Sequence, residues 1–181
     1  MFDALGSKVF STVVALSMLL FSSFKGNDPA ISQFQLSKTD SYLYVKAQLS
    51  TAFENDFPSI FASGVPVNIH YDLDLRGANG YHGKRRVTNR ISYDLATGIY
   101  EIRKEGLPSI YSKSISEVLH EAAHLEVAIP YNREWGELKV KLSASLPKVY
   151  FKELGKQMDL MVLWKYKKPG ASGSIDLRRL D

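Results

Sequence analysis

Several segments of the chain place a hydrophobic residue at every second position, the pattern of a half-buried β-strand. The clearest alternation covers residues 42–49, 65–75, 87–95 and 138–146. Residues 125–129 and 160–166 are mainly apolar and are expected to form shorter strands. The chain therefore predicts a fold dominated by β-sheet.

Two segments have a helical period instead. The apolar side chains in residues 53–61 are spaced i, i+4, i+7 and i+8, although Pro58 requires that this helix is kinked or begins only near Asp56. A second helix is expected after residue 108, since Ser114 followed three positions later by Glu117 has the spacing of a capping box. Both helices are short and amphipathic.

Strands that follow one another through short turns favour antiparallel pairing. We therefore predict an α+β fold, a largely antiparallel sheet with two short amphipathic helices, in a single domain over residues 26–168. Residues 169–181 have the composition of a linker and are expected to form a flexible tail.

Residues 1–25 are expected to be an export signal or an N-terminal membrane anchor. Residues 9–24 carry no charge, and these sixteen residues fall between a signal-peptide apolar region and the roughly 20 that span a bilayer as a helix. A buried core helix is the alternative. Either main reading places the domain on the extracytoplasmic side of a bacterial inner membrane, tethered through residues 9–24 if they are not cleaved.

The amino-acid composition excludes several kinds of functional site. The chain has no cysteine, which excludes disulfides, thiol nucleophiles and Cys-ligated metals. Its formal charge of +4, from 23 basic and 19 acidic residues, is too small and too dispersed to predict a nucleic-acid partner.

Two stretches resemble a bacterial family of exported proteins, domain of unknown function number 4390. They are Gly64-Val65-Pro66-Val67 before a long strand and Ser92-Tyr93-Asp94-Leu95-Ala96-Thr97 in a hairpin, with Ala96 as a departure from the family pattern. The resemblance spans roughly residues 30–166. It implies an exported, strand-rich domain and no activity.

One motif has the form of a catalytic site. His120-Glu121-Ala122-Ala123-His124 is H-E-x-x-H, in which two histidines on one helical face bind zinc and the glutamate activates a bound water. The same spacing also describes the solvated face of an amphipathic helix, and the chain offers no obvious third ligand. A small zinc hydrolase with ligands His120 and His124 and base Glu121 is therefore the alternative hypothesis.

Two further groups are candidates. His70, Asp72 and Asp74 share one face of a strand, where they form either a metal site or the polar side of a sheet. A basic cluster is a candidate for binding anionic lipid or an acidic partner, although such clusters commonly serve solubility. It consists of Lys84, Arg85, Arg86 and Arg90.

The sequence favours a non-enzymatic envelope protein without a cofactor, which binds or scaffolds another envelope protein. The zinc hydrolase and a lipid-surface binder are its rivals.

Overall fold

The computed structural model describes residues 25–62, 64–151 and 155–178. Within these residues it is an α+β fold whose strands all pair antiparallel, with two short α-helices, as predicted. The expected N-terminal signal or anchor, residues 1–25, lies outside the described residues except for Lys25. No helix in the described part of the chain is long and apolar enough to cross a bilayer.

Nine strands form two sheets. The smaller sheet has the order β1-β2-β7 and consists of β1 (Ala30–Lys38), β2 (Tyr42–Ser50) and β7 (His124–Pro130). The larger sheet has the order β11-β8-β3-β4-β5-β6. Its strands are β3 (Val67–Gly77), β4 (His82–Asp94), β5 (Ile99–Lys104), β6 (Ile110–Ser112), β8 (Glu137–Ser145) and β11 (Gly170–Asp176).

The remaining elements are short. A separate hairpin pairs β9 (Lys148–Phe151) with β10 (Lys156–Asp159). The α-helices are α1 (Phe57–Ala62) and α2 (Ile115–Ala123), and 3-10 helices cover Arg133–Trp135 and Leu160–Trp164. Helix α1 begins directly after Asp56, in agreement with the limit that Pro58 sets.

Strand alternation gives each sheet one buried face, and the two buried faces belong to one hydrophobic core. In β3 the buried residues alternate strictly with half-buried polar ones, from Val67 to Leu75. Helix α2 contacts β4 and β5 of the larger sheet and β2 and β7 of the smaller one. The face of the larger sheet that points away from the core is called the outer face below.

The expected flexible tail is wrong for residues 170–176. They form β11, which pairs in register with β8 from Gly170 opposite Ser143 to Asp176 opposite Glu137. Small and polar residues suit this edge strand because Gly173 lies directly beneath the ring of Phe34, where a β-carbon would come within 3.2 Å of the ring. The small residues that resemble a linker in composition are therefore explained, at Gly173, by close packing against Phe34.

The expected last strand at residues 160–166 is also wrong. The Asp159 side chain accepts a hydrogen bond from the Met161 amide and starts a 3-10 helix. Leu160, Met161, Leu163 and Trp164 are all buried, so the segment has no exposed alternate face for a strand.

Candidate functional site

The H-E-A-A-H motif crosses the boundary between a helix and a strand. Helix α2 begins at the N-cap Ser114, whose hydroxyl accepts a hydrogen bond from the Glu117 amide as predicted, and it ends at Ala123. His120 and Glu121 therefore lie on the helix. His124 has extended backbone angles, φ −87° and ψ 123°, and is the first residue of β7. The two histidines do not share one helical face.

Side chains from the larger sheet hold the end of this helix. The buried Tyr71 hydroxyl lies 3.2 Å from the carbonyl oxygens of both Ala122 and Ala123. The buried Asn89 amide donates to Ala122 and to His124. These donors satisfy carbonyls that a helix end otherwise leaves without partners. Burial raises the pKa of Tyr71, which keeps its hydroxyl protonated as a donor.

The carboxylate of the motif already has a partner. Glu121 Oε2 lies 2.8 Å from Lys104 Nζ, and the Lys104 side chain is only 10% exposed. The hydrogen bond from Lys104 holds the pKa of Glu121 below its ordinary value. A lower pKa makes this carboxylate a weaker proton acceptor, whereas a general base needs a pKa near the working pH.

The last residue of the motif faces a different pair. His124 Nε2 lies 3.8 Å from Glu126 Oε2, and Glu126 forms an ion pair of 2.7 Å with Lys46 on β2. In the part of the chain that the structure describes, no three His, Asp or Glu side chains are grouped as metal ligands.

The polar side chains of β3 lie together on the outer face, and each carboxylate there pairs with an arginine. Asp72 is bonded through both oxygens to Arg86, with distances of 2.7 and 3.1 Å. Asp74 is bonded in the same way to Arg76 and lies 3.2 Å from His82. The sequence offered the polar side of a sheet as the alternative to a metal site, and the pairing of Asp72 with Arg86 is of that kind.

His70 lies next to this network. Its Nδ1 is 3.0 Å from the Thr88 hydroxyl on β4. Burial, followed by the positive charge of Arg86, lowers the pKa of His70, while Asp72 has a smaller opposing effect. The shift favours the neutral form of the imidazole.

The basic cluster predicted from sequence is divided between two faces of the sheet. Lys84, Arg86 and Arg90 are exposed on the outer face, since they alternate with the buried Val87 and Asn89. Arg85 points to the other side, where it donates to the carbonyl of Ala128 on β7 and pairs with Glu105. The Arg85 guanidinium thus joins the two sheets and does not point to the outer face.

A recess of about 940 Å³ opens on the outer face across β4, β3, β8 and β11. Asp72, Asp74, Lys84, Arg86, Lys141, Ser143 and Ser172 are among the residues that line it. Register places Asp74 between Lys84 on β4 and Lys141 on β8. Within the described residues, neither lysine forms an ion pair, while Asp74 pairs with Arg76 and lies 3.2 Å from His82.

Sequence reasoning missed the β8 and β11 side of this recess. The alternation in residues 138–146 did predict that Lys141 and Ser143 point away from the core. It did not bring them next to Lys84, because the pairing of β3 with β8 joins residues about seventy positions apart. Ser172 was missed because β11 was not recognised as a strand.

No protein-family model matches this chain, and no curated protein or solved structure matches it either. The resemblance to family 4390 therefore stays a prediction.

Proposed function

We propose that this chain is an exported or membrane-tethered envelope protein with a non-enzymatic binding role, and that its recess holds an acidic segment of another envelope protein. The export part of the proposal depends on residues 1–25 of the sequence. The binding part depends on the composition of the recess.

One observation supports the binding part above the others. Lys84 and Lys141 face the recess on either side of Asp74, and Asp74 already has Arg76 as its ion-pair partner. Two ammonium groups without partners in the described structure therefore lie beside the hydroxyl residues Ser143 and Ser172. Together they supply the positive charge and hydrogen-bond donors that carboxylates require.

The shape of the site favours a peptide over a lipid surface. A recess on a sheet face accepts an extended segment, whereas a planar bilayer meets the parts of a protein that protrude.

Lysine footprinting tests this proposal directly. The full chain in detergent is treated with an acetylating reagent, with and without a glutamate-rich peptide, and each lysine is quantified by mass spectrometry. We expect the peptide to slow acetylation of Lys84 and Lys141 by about threefold or more at saturation, because bound ammonium groups are shielded. Lys113, exposed beside α2 and away from the recess, is the internal control.

Equal protection of Lys84, Lys141 and Lys113 contradicts a specific recess, since it is the result of general charge attraction. The absence of protection at all three contradicts binding of acidic segments.

A further inference from the structure

The apolar segment of residues 9–24 joins the domain through Lys25 alone. From Gly26 onward the chain is fixed: the Asn27 amide donates to the carbonyl of Leu163 at 2.7 Å. The buried Asn27 side chain donates to Asn55 and Leu163 and accepts from the amides of Glu54 and Asn55. Among the described residues, the chain is therefore bonded to the core from Gly26 onward, two positions after residue 24.

A group of lysines surrounds this attachment point. Four consecutive residues are exposed here: Lys165, Tyr166, Lys167 and Lys168. Lys25, which directly precedes Gly26 in the sequence, is exposed as well. Lys165 packs over Gly26 so closely that a β-carbon there would come within 2.9 Å of its side chain. Lys167 forms an ion pair with Asp28. We call Lys25, Lys165, Tyr166, Lys167 and Lys168 the lysine collar.

Two carboxylates, Asp28 and Asp56, contact residues of the collar or the adjoining Gly26. Lys167 and then Lys165 lower the pKa of Asp28, so that carboxylate is ionised and offsets one lysine. The Asp56 carboxylate accepts a hydrogen bond from the Gly26 amide. The four lysines outnumber these two carboxylates, and the collar keeps a positive charge.

The composition of the collar suits a membrane interface. Lysine extends its ammonium group to headgroups while its methylene chain lies along apolar surface, and tyrosine is enriched at the headgroup level. Juxtamembrane lysines are attracted to anionic leaflets. Tyr166 is 65% exposed, with its ring available for such contact.

We infer that the lysine collar is the membrane-facing surface of the domain and binds anionic lipid headgroups where residues 9–24 enter the bilayer. This inference rests on the tethered form of the proposed function. It states which part of the domain is nearest the membrane: the edge of the larger sheet at the start of β11, whereas β6 is the strand at the opposite edge.

The absence of cysteine from the sequence makes a clean test possible. Tyr166→Cys in the full chain receives an environment-sensitive fluorophore, and the protein is reconstituted into vesicles of phosphatidylcholine with phosphatidylglycerol. Lipids with a spin-labelled headgroup serve as the quencher. Tyr111→Cys is the matched control, since Tyr111 is also a tyrosine with 65% exposure but lies on β6 at the far edge of the sheet.

We expect at least about twofold stronger quenching at position 166 than at position 111, because headgroup contact is short in range. Combining Lys165→Gln, Lys167→Gln and Lys168→Gln with the position 166 label should reduce this difference. Vesicles of phosphatidylcholine alone should reduce it as well.

Vesicle flotation in the same samples separates the two proposals. A chain that floats but is quenched equally at both positions overturns the collar and leaves the tether intact. A chain that does not float contradicts the tether, and with it the collar as a membrane contact.

Discussion

Lys104 Nζ lies 2.8 Å from Glu121 Oε2, and this ion pair joins β5 to helix α2 through the glutamate of the H-E-A-A-H motif. The lysine is nearly buried, whereas the Glu121 side chain is 38% exposed. Solvent therefore screens part of the attraction, while loss of the carboxylate leaves a buried ammonium group without a partner.

We predict that Glu121→Gln lowers the free energy of unfolding by about 1 kcal/mol. A double-mutant cycle with Lys104→Met, followed by urea denaturation, isolates the pair. The combined variant should be more stable than the sum of the single effects predicts. Additive effects would show that the pair is not coupled.

The same pair predicts acid sensitivity. The Glu121 pKa is depressed below its ordinary 4.5, so the unfolded chain takes up this proton at higher pH than the folded one. Its stabilising contribution is present above that value and is lost as the pH falls through the folded pKa. Denaturation midpoints measured from pH 6 downward should decline less steeply in Glu121→Gln than in the wild type, and identical slopes would contradict this assignment.

The interpretation of H-E-A-A-H as a structural segment predicts little bound zinc. His124 belongs to β7 and not to the helix that carries His120, so the geometry of the zinc motif is not formed. We expect substoichiometric zinc in the purified full chain, equal in wild type and His124→Ala. Near-stoichiometric zinc that is lost in His124→Ala would support the alternative hydrolase.

The hydrogen bonds of the Tyr71 hydroxyl are predicted to stabilise the end of helix α2. Tyr71→Phe removes the hydroxyl that bonds the carbonyls of Ala122 and Ala123 while it keeps the buried ring. The free energy of unfolding should fall by about 1–2 kcal/mol. Tyr42→Phe, at an exposed tyrosine of the smaller sheet, is the control and should change it by less than about 0.5 kcal/mol. Equal effects would show that the Tyr71 bonds contribute nothing of their own.

The pKa of His70 depends on the charges of the outer face. Burial and Arg86 lower its pKa below the ordinary 6.5. Arg86→Gln should raise that pKa, because it removes a positive charge and leaves Asp72 without its partner. Histidine proton chemical shifts followed against pH measure the change, and His70→Gln assigns the signal. An unchanged or lower pKa in Arg86→Gln would contradict the arrangement of the outer face.

The sequence predicted the elements whose pattern is local. Alternation located β2, β3 and β8, and Ser114 with Glu117 marked the start of α2. It failed where tertiary contacts decide the structure. Residues 170–176 lack hydrophobic alternation and become a strand because they pair with β8 beneath Phe34. Residues 160–164 are apolar enough for a strand, yet Asp159 caps a 3-10 helix.

The candidate site was predicted only in part. Lys84 and Arg86 were recognised as part of the basic cluster, and Asp72 was recognised because it shares a strand face with His70 and Asp74. Arg85 was grouped with Lys84 and Arg86 because the cluster was defined by nearness in sequence alone. Consecutive residues of a strand point to opposite faces, so the Arg85 side chain lies on the other side of the sheet. Lys141 and the lysine collar depend on contacts between distant parts of the chain, such as Asn27 with Leu163.

Affinity for a fluorescent glutamate-rich peptide, measured by anisotropy in two charge-matched variants, tests the binding role most directly. Lys84→Gln with Lys141→Gln removes the recess lysines, and Lys113→Gln with Lys148→Gln removes the same charge elsewhere. We predict that the recess variant binds about fivefold or more weakly than the control, which stays near wild type. Equal weakening in both variants would contradict the recess as the binding site.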